Sequence, residues 1–142
     1  MTPRPLQRGD AEEKELLLTA GDIVRWATLS GDPNPLHHDE AVARASRFGT
    51  LIASGGHLVA LLTSFCAAFT TARGPGLGLE FSYQLRKAAR AGETLRLRWE
   101  VTAVERSEKL GGDLVFLDGE IRDGRGTLLV AGKGKILSKA TL

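Results

Sequence analysis

One cysteine, Cys66, stands among 142 residues. A single thiol excludes an internal disulfide and a cysteine-built zinc cluster, and it suits a reducing compartment. Charge of one sign is also lacking. Nineteen Lys and Arg face 17 Asp and Glu, a net of +2, too balanced for charge alone to indicate nucleic-acid binding. The longest apolar run, Leu58–Ala72, is interrupted by Thr63, Ser64, Thr70 and Thr71 and is too short and polar for a bilayer span. The opening MTPRPLQRGDAEEKE carries charges but no apolar stretch of the kind a secretory leader needs. Aromatics are scarce as well: 5 Phe, 2 Trp and 1 Tyr against 17 Gly, so close backbone approach and turns are expected to outweigh aromatic stacking. These absences lead to an expected soluble, cytoplasmic chain with neither nucleic acid nor membrane as partner. It is expected to form a single domain over residues 1–142, with 1–14 loosely ordered.

What is present divides near Arg73. Before it, helical signals dominate. Glu15–Leu18 reads as a short first strand. Thr19 offers a hydroxyl cap with Asp22 three residues on, and Ile23, Trp26, Ala27 and Leu29 recur at helical spacing, so residues 20–30 read as a helix. Ser30-Gly-Asp-Pro-Asn-Pro35 forbids helix, because each proline pushes the preceding residue out of the α region. Asp39–Ser46 reads as a short helix with a good N-cap. His57–Thr71 is apolar nearly all round, and such a helix is expected to be enclosed by other structure. After Arg73, Gly74-Pro-Gly-Leu-Gly78 reads as a connecting loop. Strands are expected at Leu79–Arg86, Thr94–Val104, Asp113–Ile121 and Thr127–Leu137, with Asp123-Gly124 as a hairpin signal. One buried helix followed by an antiparallel meander implies an α+β fold, a sheet wrapped around a central helix.

The chemistry-bearing stretch is Leu29-Ser-Gly-Asp32-Pro-Asn34-Pro-Leu-His37-His-Asp39, followed by Phe48-Gly49 and Leu51-Ile-Ala-Ser54-Gly55-Gly56-His57. Asp32 and His37 lie in one proline-stiffened turn that can aim both side chains into a single cavity. A carboxylate and an imidazole bracketing a water can exchange protons with a substrate. Asn34 between them can orient the carboxylate or the water through hydrogen bonds. Gly55 and Gly56 lie on the tight approach to the helix read over His57–Thr71; N–H groups at a helix N-terminus have no intrahelical partner and sit at the positive end of its dipole, where a carbonyl oxygen gaining charge can be held. Read as turn chemistry alone, the same residues are a turn with a surface histidine.

These residues carry a resemblance. S-G-D-x-N-P-x-H-x-D, then F-G-x-x-I-A-S-G, resembles the (R)-specific enoyl-CoA hydratase motif of the MaoC-like dehydratase family. The segment Phe81-Ser-Tyr-Gln-Leu-Arg-Lys-Ala-Ala-Arg-Ala-Gly-Glu-Thr-Leu-Arg96 resembles a later family segment more loosely; it lacks the usual proline and has Gly92-Glu93 where Gly-Asp is commoner. The likeness covers roughly residues 17–138. It implies a hot-dog fold, pairing into a homodimer or a heterodimer, and reversible hydration of trans-2-enoyl-CoA to (R)-3-hydroxyacyl-CoA, with coenzyme A as part of the substrate and no cofactor. An acyl-carrier-protein thioester is the other expected substrate form. The resemblance puts catalysis on Asp32 and His37, orientation on Asn34, and thioester carbonyl binding on Gly55, extended here to Gly56. Ser54, where the family often has His, and His57 are pocket candidates. A hot-dog thioesterase and a subunit of a heteromeric dehydratase remain alternatives.

Other residues are plainer. His38 and His57 lack the spacing of a zinc site, so no metal is expected. Cys66 among Leu62, Phe65 and Phe69 reads as core. Arg86, Lys87 and Arg90 are either a solvated strand end or contacts for the phosphates of coenzyme A, which Arg and Lys suit.

Overall fold

The computed structural model describes residues 4–142. β1 (Ala11–Leu17) leads to α1 (Ala20–Ser30), a 3-10 turn at Pro35–His37, α2 (Glu40–Ala45) and the long α3 (Gly55–Thr71). β2 (Gly76–Leu85), β3 (Thr94–Ser107), β4 (Gly112–Arg122) and β5 (Leu128–Ser138) follow. The local signals work as expected at both ends of α1: Thr19 Oγ1 accepts from the Asp22 N–H at 3.0 Å, and Gly31 closes the helix in the left-handed region at φ 79°.

All five strands form one antiparallel sheet in the order β1-β3-β4-β5-β2. This corrects the expected meander. β3, β4 and β5 are successive neighbours, but β2 pairs with β5 at the far edge rather than with β3. Residues 86–93 make that crossing possible because they are no tight hairpin: the Arg86 and Lys87 N–H groups both donate to Leu129 O, and Arg90 bridges to Ile52. β2 also begins at Gly76, so most of the expected glycine loop is strand. Two further corrections concern the first residues. Ala11–Lys14, expected to be loose, are paired with Leu97–Glu100, and Leu6 is buried in the core. Asp10 anchors the segment through Arg4 and Arg73. The exposed charges of β1 hide this strand from a periodicity reading, since its pairing comes from β3 backbone. Residues 1–3 lie outside the described residues.

β3 shows why the core sits where it does. Leu95, Leu97, Trp99 and Val101 are buried while the intervening residues face outward, the period-2 pattern of a half-buried strand. α3 packs across this face, and Trp99 Nε1–H donates to Leu62 O at 2.8 Å. The scarce aromatics collect here on glycines. A Cβ at Gly119 would lie 2.6 Å from the Trp99 ring, at Gly132 2.7 Å from Tyr83, and at Gly134 2.9 Å from Phe81. Phe81 meets Trp99 edge-on with centroids 6.2 Å apart. Aromatic packing therefore matters more than the composition suggested. Burying a ring of ~150–250 Å² is worth about 4–6 kcal/mol of transfer free energy.

α3 itself is enclosed on one side only. Leu58, Leu62, Phe65, Cys66 and Phe69 are buried, while Ser64, Ala67, Ala68 and Thr71 are exposed. The enclosure expected all round is thus absent within the described chain. Among the described residues no helix is long and apolar enough to cross a membrane.

Candidate active site

Two successive side-chain turns build the site. Asp32 follows the left-handed Gly31, and its Oδ1 accepts from the Asn34 N–H at 3.1 Å; Asn34 Oδ1 in turn accepts from the Leu36 N–H at 3.0 Å. The second turn starts the 3-10 segment that ends at His37. Asn34 therefore orients the carboxylate through its main chain, and its side-chain oxygen is spent on the turn. His38, adjacent to the site residue, donates Nε2–H to Asp32 O at 2.6 Å and ties the loop back on itself.

His37 is 5% exposed, and its ring is fixed from outside the loop. Nδ1 lies 2.7 Å from Ile52 O. A carbonyl only accepts, so Nδ1 carries the hydrogen and Nε2 of the neutral ring presents a lone pair. That Nε2 is 3.4 Å from Asp32 Oδ2. Two acceptors at this separation can each take one hydrogen from a single water, leaving the water's oxygen lone pair free to attack. The Asp32 carboxyl is held below its ordinary pKa, first by the Asn34 N–H, then by Ser54, with smaller help from His37 and His38.

Ser54 and the two glycines come next. Ser54 is the N-cap of α3, yet its hydroxyl makes no cap bond; it is buried without a partner of standard hydrogen-bond geometry, while lying near enough to Asp32 to lower its pKa. Gly55 and Gly56 open α3, so their N–H groups have no intrahelical acceptor. A side chain at either glycine would force a neighbour to shift. A Cβ at Gly55 would lie 2.5 Å from Leu85 Cδ1, and one at Gly56 2.9 Å from the Trp26 ring.

The structure does not bring every expected residue together. His57 stacks on Trp26, with centroids 5.4 Å apart and planes 8° from parallel. It lines an apolar cleft of about 320 Å³ with Trp26, Leu29 and Leu61. Burial lowers its pKa, opposed by Asp22. Arg86, Lys87 and Arg90 line a different cleft of about 480 Å³. Cys66 is buried, and desolvation pushes its thiol up to about 12. No group of three or more His, Cys, Asp or Glu able to hold a metal occurs among the described residues. Sequence reasoning missed Ile52, whose contribution is a main-chain oxygen and so leaves no signature in residue type.

The chain and its fold have counterparts among known proteins. The profile of the MaoC-like domain matches residues 3–113, more than half of the chain. The chain belongs to the MaoC-like dehydratase family. It is 31% identical over 124 residues to a 3-hydroxybutyryl-CoA dehydratase of Methylorubrum extorquens, covering 81% of this chain and 78% of that protein. Among solved structures it is similar to an (R)-hydratase from A. caviae involved in PHA biosynthesis, with a TM-score of 0.82 and 26% identity over 94% of this chain and 97% of that one. An R-hydratase from Pseudomonas aeruginosa gives a TM-score of 0.80 and 27% identity, with 94% and 83% covered. As in these MaoC-like proteins, the fold is the hot dog, an antiparallel sheet against one long helix. Membership in this hydratase and dehydratase family makes the chain a lyase-type enzyme.

Proposed function

We propose that this MaoC-like enzyme reversibly adds water to trans-2-enoyl thioesters, coenzyme A thioesters in particular, to give (R)-3-hydroxyacyl products. The observation that carries the reading is the Asp32–His37 pair, with Nε2 and Oδ2 3.4 Å apart and the ring hydrogen committed to Ile52. The water's oxygen bonds to C3 of the enoyl group as the π electrons move through C2 onto the thioester oxygen. One water proton passes to the Asp32–His37 pair, and the pair returns a proton to C2. The Gly55 N–H, assisted by Gly56 and the dipole of α3, holds the enolate oxygen. The balance closes without a redox or group-transfer cofactor. The similarity to a 3-hydroxybutyryl-CoA dehydratase supports the thioester class.

The reading includes a homodimer working in the cytoplasm. β2 is an edge strand of ten residues with Leu77 and Leu79 exposed, beside the uncovered side of α3. A second copy pairing there removes an open edge and covers apolar surface.

The test adds crotonyl-CoA and longer enoyl-CoA thioesters and follows loss of the conjugated-thioester absorbance, with chiral analysis of the product. Turnover to the (R)-alcohol is expected. No turnover at any chain length, or release of free thiol in place of hydration, would overturn the reading.

A further inference from the structure

The parts of the site hang from different elements. Asp32 is fastened to the last turn of α1, its N–H donating to Ala27 O at 2.9 Å, whereas Gly55 and Gly56 open α3. The 3-10 turn that carries His37 is tied toward α3 by hydrogen bonds: Ile52 N–H donates to Leu36 O at 3.2 Å, and Ile52 O accepts from His37. α1 has no such tie. Among the described residues, the side-chain hydrogen bonds of α1 close within the helix and its cap, and its one ion pair, Arg25–Asp22, is internal too.

What joins α1 to the start of α3 is the Trp26 ring. It lies over Gly56, where a Cβ would come within 2.9 Å of Trp26 Cη2, and it stacks on His57. His57 is itself fixed to the N-cap of α3, its N–H donating to Ser54 O at 3.0 Å. The contacts thus run without a break from Asp32 through Ala27 and Trp26 to His57 and Ser54. His57 is buried and its Nδ1 has no hydrogen-bond partner, so the imidazole serves this joint as a flat surface. Trp26 lies outside the hydrophobic core and, with His57, lines the open cleft of about 320 Å³. Filling the core is therefore not what this ring does.

We propose that Trp26 and His57 are positioning residues whose stack holds Asp32 at a fixed distance from the Gly55 N–H, so that attack at C3 and capture of the thioester oxygen are aligned on one substrate. The effect on rate rests on the proposed hydration. The joint itself does not, because the groups that hold the Asp32 carboxyl low are Asn34, Ser54, His37 and His38, and neither Trp26 nor His57. If α1 slips on α3, Asp32 parts from Ser54, and its titration reports the slip.

The experiment compares Trp26→Leu and His57→Leu, which keep apolar bulk but lose the plane, with Trp26→Phe, His57→Phe and the double Leu variant. On crotonyl-CoA each Leu variant is expected to lose roughly 10- to 100-fold in kcat with KM little changed, the scale of a misplaced catalytic group. Each Phe variant should restore kcat to within about threefold of wild type, since stacking needs only a ring. The double Leu variant should be no slower than the slower single one, because both changes break one contact. Carboxyl-carbon NMR should place the Asp32 midpoint higher in the Leu variants and at the wild-type value in the Phe variants. An unmoved Asp32 midpoint in a folded Leu variant, or fully additive losses in the double variant, overturns the inference. So does a His57→Phe enzyme as slow as His57→Leu, which would give the imidazole nitrogens a role of their own. If Trp26→Leu does not fold, the two His57 variants decide. Should the wild type turn over no enoyl thioester, the proposed hydration fails instead, and the Asp32 midpoints alone uphold or overturn the joint.

Discussion

His37 and Ile52 are joined across fifteen residues by a 2.7 Å hydrogen bond from the ring to a main-chain oxygen. The bond decides which face of the imidazole works. With the hydrogen on Nδ1 spent inside the protein, Nε2 is the nitrogen turned to Asp32, and the pair can hold a water from two sides. His38 acts on the other member by fastening the Asp32 carbonyl.

Asp32→Asn and His37→Ala are expected each to lower kcat on crotonyl-CoA by roughly 100- to 10,000-fold, the range of general acid–base catalysis. Asp32 is partly exposed, so its variant should retain the wild-type thermal unfolding temperature. His38→Ala removes only a positioning contact and should cost less, up to roughly 100-fold, as for a misplaced catalytic group. Initial rates by thioester absorbance, with calorimetric melting, check all three. A His38 variant slower than the His37 variant would contradict the assignment.

Ser54 comes second to the Asn34 N–H among the groups that hold the Asp32 carboxyl below its ordinary pKa. The folded pKa lies below the ordinary carboxylate value, so the ionised form that accepts from water is complete above that ordinary value. It is lost only as pH falls through the lowered one. Ser54→Ala removes the second of the lowering causes and should move the Asp32 titration upward. Carboxyl-carbon NMR across acid pH reads the shift directly, and an unmoved midpoint means that the buried hydroxyl does not serve Asp32.

Glycine substitutions should rank by what stands over them. At Gly55 the new methyl meets the flexible, 55% exposed Leu85, so Gly55→Ala should fold and be impaired mainly in turnover. At Gly119 it meets three atoms of the Trp99 ring at 2.6–2.7 Å, and that ring is held by Leu62 O. Gly119→Ala should therefore cost about 3 kcal/mol or more, the upper end of overpacking effects. Denaturant midpoints of the two variants test the order.

The β2 edge should govern assembly. Leu79→Lys places a charge on the exposed edge strand without touching the Asp32–His37 loop. Sedimentation should show a dimer for the wild type and a monomer for the variant. A monomeric wild type would remove pairing from the functional reading.

The sequence by itself determined whatever depends on neighbours a few residues apart. Thr19 caps α1, Gly31 ends it, and Asp32 and Asn34 fold their own turns, because each interaction closes over two to four residues. Hence α1 and the shared turn of Asp32 and His37 were legible before any coordinates. The tertiary structure alone decided the rest. β1 reaches back to Ala11, β2 lies beside β5, and the His37 hydrogen goes to Ile52, since backbone groups of any residue type can accept or donate. The stacking of His57 on the flat Trp26 ring is likewise a long-range contact. Arg47 and Arg125 joined Arg86, Lys87 and Arg90 only when the chain folded, as unlike-numbered charges carry no local sign of a shared cleft. Short-range geometry is written in adjacent residues, whereas long-range pairing is set by which surfaces the whole fold brings together.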